Sequence, residues 1–323
     1  MVAPRSLIHR VERTLSMTKW KTRRIVALTA LLLFGCSPAS PSLTVVPASE
    51  ILSPPDTPTA APDYAAKIRN AQYQLGATDA LRIVQLADGK FEQGAPGGAD
   101  YLSVNLTDFA AAGDLNRDGV DEVAALIAEN YGGTGVFTFL AVYADVNGTL
   151  TFQTSAYVDD RPGLNAFAIA DGEIFLEALI HATDDPLCCP TKRIAKRYRW
   201  GINNQLNATD YAAFTPDGRP RTITIEAPVN GASVTGSVQI KGSVAIAPFE
   251  NNLVYRIYSI GDVELASGSI AVHATELGGP GEFDTIIALG NILSGATIRV
   301  EVQDVSAEDG SLLAMDSVEL VVK

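Results

Sequence analysis

The chain has 323 residues, with 24 Lys and Arg against 37 Asp and Glu, a formal net charge of −13, and 7% aromatic side chains. So acidic and aromatic-poor a chain argues against nucleic-acid binding and against electrostatic adhesion to anionic lipid. It suits soluble export and the binding of cations.

In chain order, the first feature is the ten-residue apolar run from Ile25 to Phe34, preceded by Lys19, Lys21, Arg23 and Arg24. As a helix it would reach roughly 15 Å, half the thickness of a bilayer's hydrocarbon. It is therefore predicted to be the apolar part of a signal peptide spanning residues 1–35, and not a membrane span. Met17 is an alternative translation start. The run closes on Leu33-Phe34-Gly35-Cys36, which resembles the lipobox of bacterial lipoproteins. That resemblance implies cleavage before Cys36 and a covalent diacylglycerol or fatty acid on its sulfur. The implied location is the extracytoplasmic face of the cell membrane, with the membrane itself as a partner through the anchor. An ordinary signal peptide that happens to contain a cysteine is the alternative. Removing residues 1–35 takes away seven basic residues and one acidic one, leaving 17 basic and 36 acidic side chains and a net charge of about −19. Residues 36–63, rich in Pro, Ser, Thr and Ala without any period, are predicted to be a tether.

Residues 64–214 are predicted to form a mixed β domain. Tyr64–Gln74 has helical character. Phe109–Ala112 suits helix or strand equally. Leu81–Leu86, Val136–Tyr143, Leu150–Tyr157 and Glu173–Ile180 are β-branched or aromatic runs, predicted as strands. Asp88-Gly89, Asn147-Gly148, Asp171-Gly172 and Asp217-Gly218 punctuate them, and such pairs favour tight hairpin turns. Asn130-Tyr131-Gly132-Gly133-Thr134-Gly135 lacks the Lys-Ser/Thr of a phosphate-binding loop and reads as a glycine turn.

The best chemical motif is Asp114-Leu115-Asn116-Arg117-Asp118-Gly119-Val120-Asp121-Glu122. Oxygen-bearing side chains stand at positions 1, 3, 5 and 9 with glycine at 6, a spacing that turns hard oxygens toward one centre and suits calcium. Asp114, Asn116, Asp118, Glu122 and the carbonyl of Val120 are the predicted ligands. Ala125 at position 12 excludes an EF-hand. The pattern resembles the FG-GAP or integrin-α-type calcium loop, which links two strands. A single copy does not imply a propeller. An acidic turn that holds no ion is the competing reading.

Downstream, Asp184-Asp185-Pro186-Leu187-Cys188-Cys189-Pro190 invites three readings: a disulfide between Cys188 and Cys189, a metal site completed by His181, or free thiols. This segment, together with the basic run to Trp200, resembles uncharacterised bacterial envelope lipoproteins, and the resemblance carries no known activity.

A composition change at residues 215–221 predicts a linker, and residues 222–323 are predicted to be an immunoglobulin-like β-sandwich. About seven short strands are punctuated by turns, with alternation in Asn252–Tyr258 and Met315–Val322. The predicted core is Ile223, Ile225, Val238, Ile240, Val254, Ile257, Phe283, Ile298, Val300, Val302, Leu320 and Val322. Thr222–Gly231, Val238–Gly242 and Ile298–Val302 resemble the immunoglobulin-like domain of bacterial spore germination proteins. Asp309-Gly310 is a turn with no ligand assigned.

The fold expected is thus mainly β, in two domains. No catalytic residue is predicted, because only His181 and His273 remain beyond the signal segment and neither stands in a nucleophile motif. The acidic pairs Asp159-Asp160 and Asp184-Asp185 read as solvated loops. The function expected is that of a non-catalytic, lipid-anchored envelope module binding an extracytoplasmic protein or glycan. A hydrolase, thiol-redox or metal protein centred on His181, Cys188 and Cys189 is the alternative.

Overall fold

Residues 62–77, 81–201 and 203–323 are described by the structure, a computed structural model. The predicted signal segment, Cys36 and the tether up to residue 61 lie outside them. A short helix, α1 (Pro62–Ile68), leads into β1 (Gln72–Gln74), which pairs antiparallel with β2 (Ile83–Gln85). The helix predicted to reach Gln74 therefore stops at Ile68. Ala71, Tyr73 and Leu75 are all buried, and alternate residues share one face of an extended chain but fall on opposite sides of a helix. The strand predicted over Leu81–Leu86 is shorter than expected, and Leu81 is left exposed.

β3 (Lys90–Gln93), β4 (Leu102–Gly113), β5 (Glu122–Asn130), β6 (Phe137–Val146) and β7 (Thr149–Asp160) form an antiparallel sheet in sequence order. Phe109–Ala112, ambivalent in sequence, falls within β4. The middle strand β5 is covered on both faces. Val123, Ala125 and Ile127 pack with Tyr73, Leu86 and Val104 under β1 and β2. Ala124 and Leu126 pack with Ile169, Ile174 and Leu176 of a second meander. That meander is β8 (Gly163–Ala170), β9 (Glu173–Ile180), β10 (Lys192–Trp200) and β11 (Leu206–Ala213). Both residues of Asp88-Gly89, Asn147-Gly148 and Asp171-Gly172 have positive φ, as the predicted hairpin turns require.

Residues 215–221 make a hydrogen-bonded turn, in which Thr215 N donates to the Arg219 carbonyl at 2.9 Å. Beyond it come β12 (Ile223–Ala227), β13 (Ala232–Val234), β14 (Ser237–Val244), β15 (Asn252–Ser259), β16 (Glu264–Ala271), β17 (His273–Ala274), β18 (Gly281–Ala288), β19 (Thr297–Val305) and β20 (Leu312–Val322). One sheet runs β12-β14-β18-β17, and it faces β16-β15-β19-β20 across a core that includes Ile240, Leu253, Phe283, Val300 and Leu320. Leu253 takes the inward place predicted for Val254. Leu253 and Ile257 are an even number of residues apart and so share a face, while Val254 points to the other. Ile225 is only partly buried.

The two halves share a sheet. Asp210, Tyr211 and Ala212 of β11 pair with Asp316, Met315 and Ala314 of β20. The meander β8–β11 thereby continues into the immunoglobulin-like half as one nine-stranded sheet, with β13 lying parallel along β20. No described helix is long and apolar enough to cross a membrane.

Candidate functional site

The loop between β4 and β5 is built by its own side chains. Arg117 and Gly119 adopt positive φ, which folds the chain back on itself. Asp114 accepts from the backbone N–H groups of Asp118 at 3.1 Å and Gly119 at 3.0 Å. Asn116 Oδ1 accepts from Asp118 N at 2.8 Å, and Asp118 Oδ1 from Val120 N at 2.8 Å. Glu122 is buried, and its carboxylate accepts from Leu115 N at 2.9 Å, Asn116 N at 3.2 Å and Asn116 Nδ2 at 2.9 Å. Burial raises the Glu122 carboxyl above its usual range, and the charges of Asp118 and Asp114 add to the rise. Asp114, Asn116, Asp118 and Glu122 thus lie within one tight turn. Among the described residues, however, no three His, Cys, Asp or Glu side chains converge as a ready metal cluster. The carboxylates are turned toward loop amides. Each is an oxygen donor, the ligand type that a hard cation takes.

At the opposite end of β9, the sulfurs of Cys188 and Cys189 lie at disulfide distance in an exposed turn. Asp185 ties that turn together, accepting from Ala182 N at 2.8 Å, Thr191 N at 2.7 Å and Thr191 Oγ1. His181 is drawn into the structure by Asp159, whose Oδ2 lies 2.9 Å from Nδ1 and accepts the His181 backbone N–H at 2.6 Å. This bond raises the imidazole pKa above its ordinary value, and the Leu187 carbonyl adds a smaller push. Nε2 is buried with no partner in hydrogen-bond geometry among the described residues. Asp309, in the predicted turn, accepts from Thr183 Oγ1 at 2.6 Å, which lowers its pKa.

A third site was not legible in the sequence. β11 and β20 pair over three residues and then part. Past the parting, side chains stand in for the missing strand: Glu319 N donates to Asn230 Oδ1 at 2.9 Å, and Ser317 Oγ donates to the Thr209 carbonyl at 3.0 Å. Beside the parting, where the end of β10 and Glu319 of β20 approach the acidic loop, lies a cleft of about 530 Å³, lined by Asn116 and Arg117 of that loop, Arg199, Trp200, Asn230 and Glu319. A smaller hollow of about 230 Å³ adjoins it and shares Arg199, Trp200 and Glu319. Trp200 is half-buried, and its Nε1 donates to Asn204 Oδ1 at 2.9 Å. Arg199 is held by Glu173 at 2.7 Å and lies 3.6 Å from Glu319. The lining holds no serine, cysteine or histidine, and its one carboxylate, Glu319, faces a guanidinium. The one sequence signal for the cleft was Trp200-Gly201 followed by Asn203, Asn204 and Asn207.

The paired sheets and shared core of the second half define an immunoglobulin-like β-sandwich. More particularly, residues 222–311 match the immunoglobulin-like domain of bacterial spore germination. No curated protein matches the chain.

Proposed function

We propose that this is a non-catalytic cell-envelope protein, anchored by lipid on Cys36 to the extracytoplasmic face of the membrane, that binds an extracytoplasmic protein or glycan. Calcium held by Asp114, Asn116, Asp118, Glu122 and the Val120 carbonyl stabilises the binding face. The observation that carries this reading is the position of the acidic loop: Asn116 and Arg117, in the middle of it, also form a wall of the cleft. A cation there neutralises the carboxylates around Glu122 and stiffens that wall. The lipobox-like Leu33-Phe34-Gly35-Cys36 and the proline-rich tether support the anchoring.

Calorimetric titration of the protein with calcium, beside Asp118→Ala, tests the loop. Saturable heat lost in the variant is expected, with a gain of roughly 2.7 kcal/mol in stability at about 100 times the dissociation constant. Absence of both heat and melting shift would reduce Asp114–Glu122 to an acidic turn.

A further inference from the structure

We propose that the cleft beside the parting of β11 and β20 binds a neutral oligosaccharide, with Trp200 as its platform; this rests on the binding reading above and names its ligand class. At about 530 Å³, the cleft falls within the size range of small-ligand sites. Trp200 packs in part against the core around Leu126, Ile174 and Tyr198. No other aromatic ring or cation stacks on it among the described residues, and its only polar atom is satisfied by Asn204. What Trp200 offers the cleft is therefore apolar surface, suited to the C–H face of a sugar ring.

Around it stand groups that suit hydroxyls. Asn230 uses its carbonyl oxygen to accept from Glu319 N, while its Nδ2 has no acceptor among the described residues. Arg117 makes one bond, from Nη2 to the Asp171 carbonyl at 3.1 Å, so its remaining N–H groups are free for ligand oxygens among the described residues. Glu319, half-neutralised by Arg199, is an acceptor at the rim.

Charge selects a neutral ligand. Arg199 is balanced by Glu173 and Glu319, and Arg117 rises from a loop carrying Asp114, Asp118, Asp121 and Glu122. Even with a divalent cation in the loop, these four carboxylates with Glu173 and Glu319 outnumber the positive charge of the cation, Arg117 and Arg199. An anion would still meet a surplus of negative charge. A protein epitope is disfavoured for a different reason: among the described residues no exposed large aliphatic side chain lines the main cleft, so it lacks the apolar anchors that protein interfaces use. A second cleft of about 600 Å³ between β1–β2 and the β6–β7 turn is a weaker choice. Its aromatic residue, Phe152, is already engaged edge-on by Tyr73 and Tyr143.

The sequence has two tryptophans, Trp20 and Trp200; Trp20 falls in the predicted signal segment, so Trp200 is the indole reporter of the processed protein, and Trp20→Phe secures this in any unprocessed chain. Its emission would be followed on titration with chitotetraose, cellotetraose and, as the acidic comparison, trigalacturonate. The expected result is a saturable change with at least one neutral tetrasaccharide, roughly tenfold weaker in both Arg117→Ala and Asn230→Ala, and weaker still for trigalacturonate. Both substitutions are at the cleft surface, and an unchanged melting temperature would show that the fold is kept. No saturable change with either neutral sugar up to about 10 mM, binding undiminished in either variant relative to the unsubstituted cleft, or tighter binding of trigalacturonate would overturn the assignment. Calcium heat is measured separately, so a cleft that ignores sugars while the loop still binds calcium removes this inference and leaves the proposed calcium-stabilised module standing.

Discussion

Glu122 and Glu129 stand near opposite ends of β5 and point to opposite faces of its sheet, and both are buried. Glu129 lies among neutral donors: the hydroxyls of Tyr73 at 2.5 Å and Tyr131 at 2.6 Å, and the backbone N–H groups of Gly76 at 2.7 Å and Ala77 at 3.2 Å. Burial and then the Glu129 carboxylate hold the Tyr73 hydroxyl protonated far above its ordinary range; Tyr131 is shifted the same way. Glu122 also collects amides, but it shares its turn with Asp114 and Asp118, whose charges oppose its own. The same residue type on one strand thus serves two ends. Glu129 clamps the segment after β1 to the sheet, whereas Glu122 feels the repulsion of two neighbouring carboxylates, which the proposed cation would relieve. What separates these two buried carboxylates is the charge of their neighbours.

The sharpest way to break this comparison is Glu129→Ala, which strands two tyrosine hydroxyls and two amides without their acceptor. A loss of about 3–5 kcal/mol in urea unfolding is expected, independent of calcium. A loss below about 1 kcal/mol would mean that water replaces the carboxylate easily.

An intermediate case lies at the join of the two halves, where Asp210 and Asp316 face each other across β11 and β20. Burial first, and then the charge of Asp316, push Asp210 up to about 7; burial pushes Asp316 up to about 6. Oδ1 of Asp210 is covered and lacks a partner. The folded state therefore holds protons that the unfolded chain releases near the ordinary aspartate value. The resulting stability is full below that value and is lost as pH rises through about 6 to 7. Asp210→Asn is expected to raise stability at pH 8 by on the order of 1–3 kcal/mol and to change it little at pH 4, read from melts at the two pH values.

The smallest effect belongs to the exposed end of the acidic loop. Without calcium, Asp118→Ala should shift stability by less than about 0.5 kcal/mol. A larger loss in calcium-free buffer would show that the Asp118–Val120 hydrogen bond, and not a cation, is what that side chain supplies.

Features carried by neighbouring residues were readable in the sequence. The Asp-Gly and Asn-Gly turns, the nine-residue acidic loop and the adjacent Cys188 and Cys189 all act within a few residues, where local conformation and side-chain reach decide the outcome. Alternation exposed much of the sandwich core, though a shift of one position put Val254 in the place of Leu253 because opposite faces of a strand differ by a single residue.

Tertiary structure alone decided the rest. Glu129 looks like any strand-end glutamate until Tyr73 and Gly76, more than fifty positions earlier, fold over it. The nine-stranded sheet depends on β11 meeting β20 across about a hundred residues, and no local pattern encodes that register. The cleft lies beside the point where that pairing ends, with walls drawn from Asn116, Trp200, Asn230 and Glu319. Sequence determined which segments were strands and turns because those preferences are local. Which strands meet, and where they part, was decided by the burial of apolar faces contributed from distant segments.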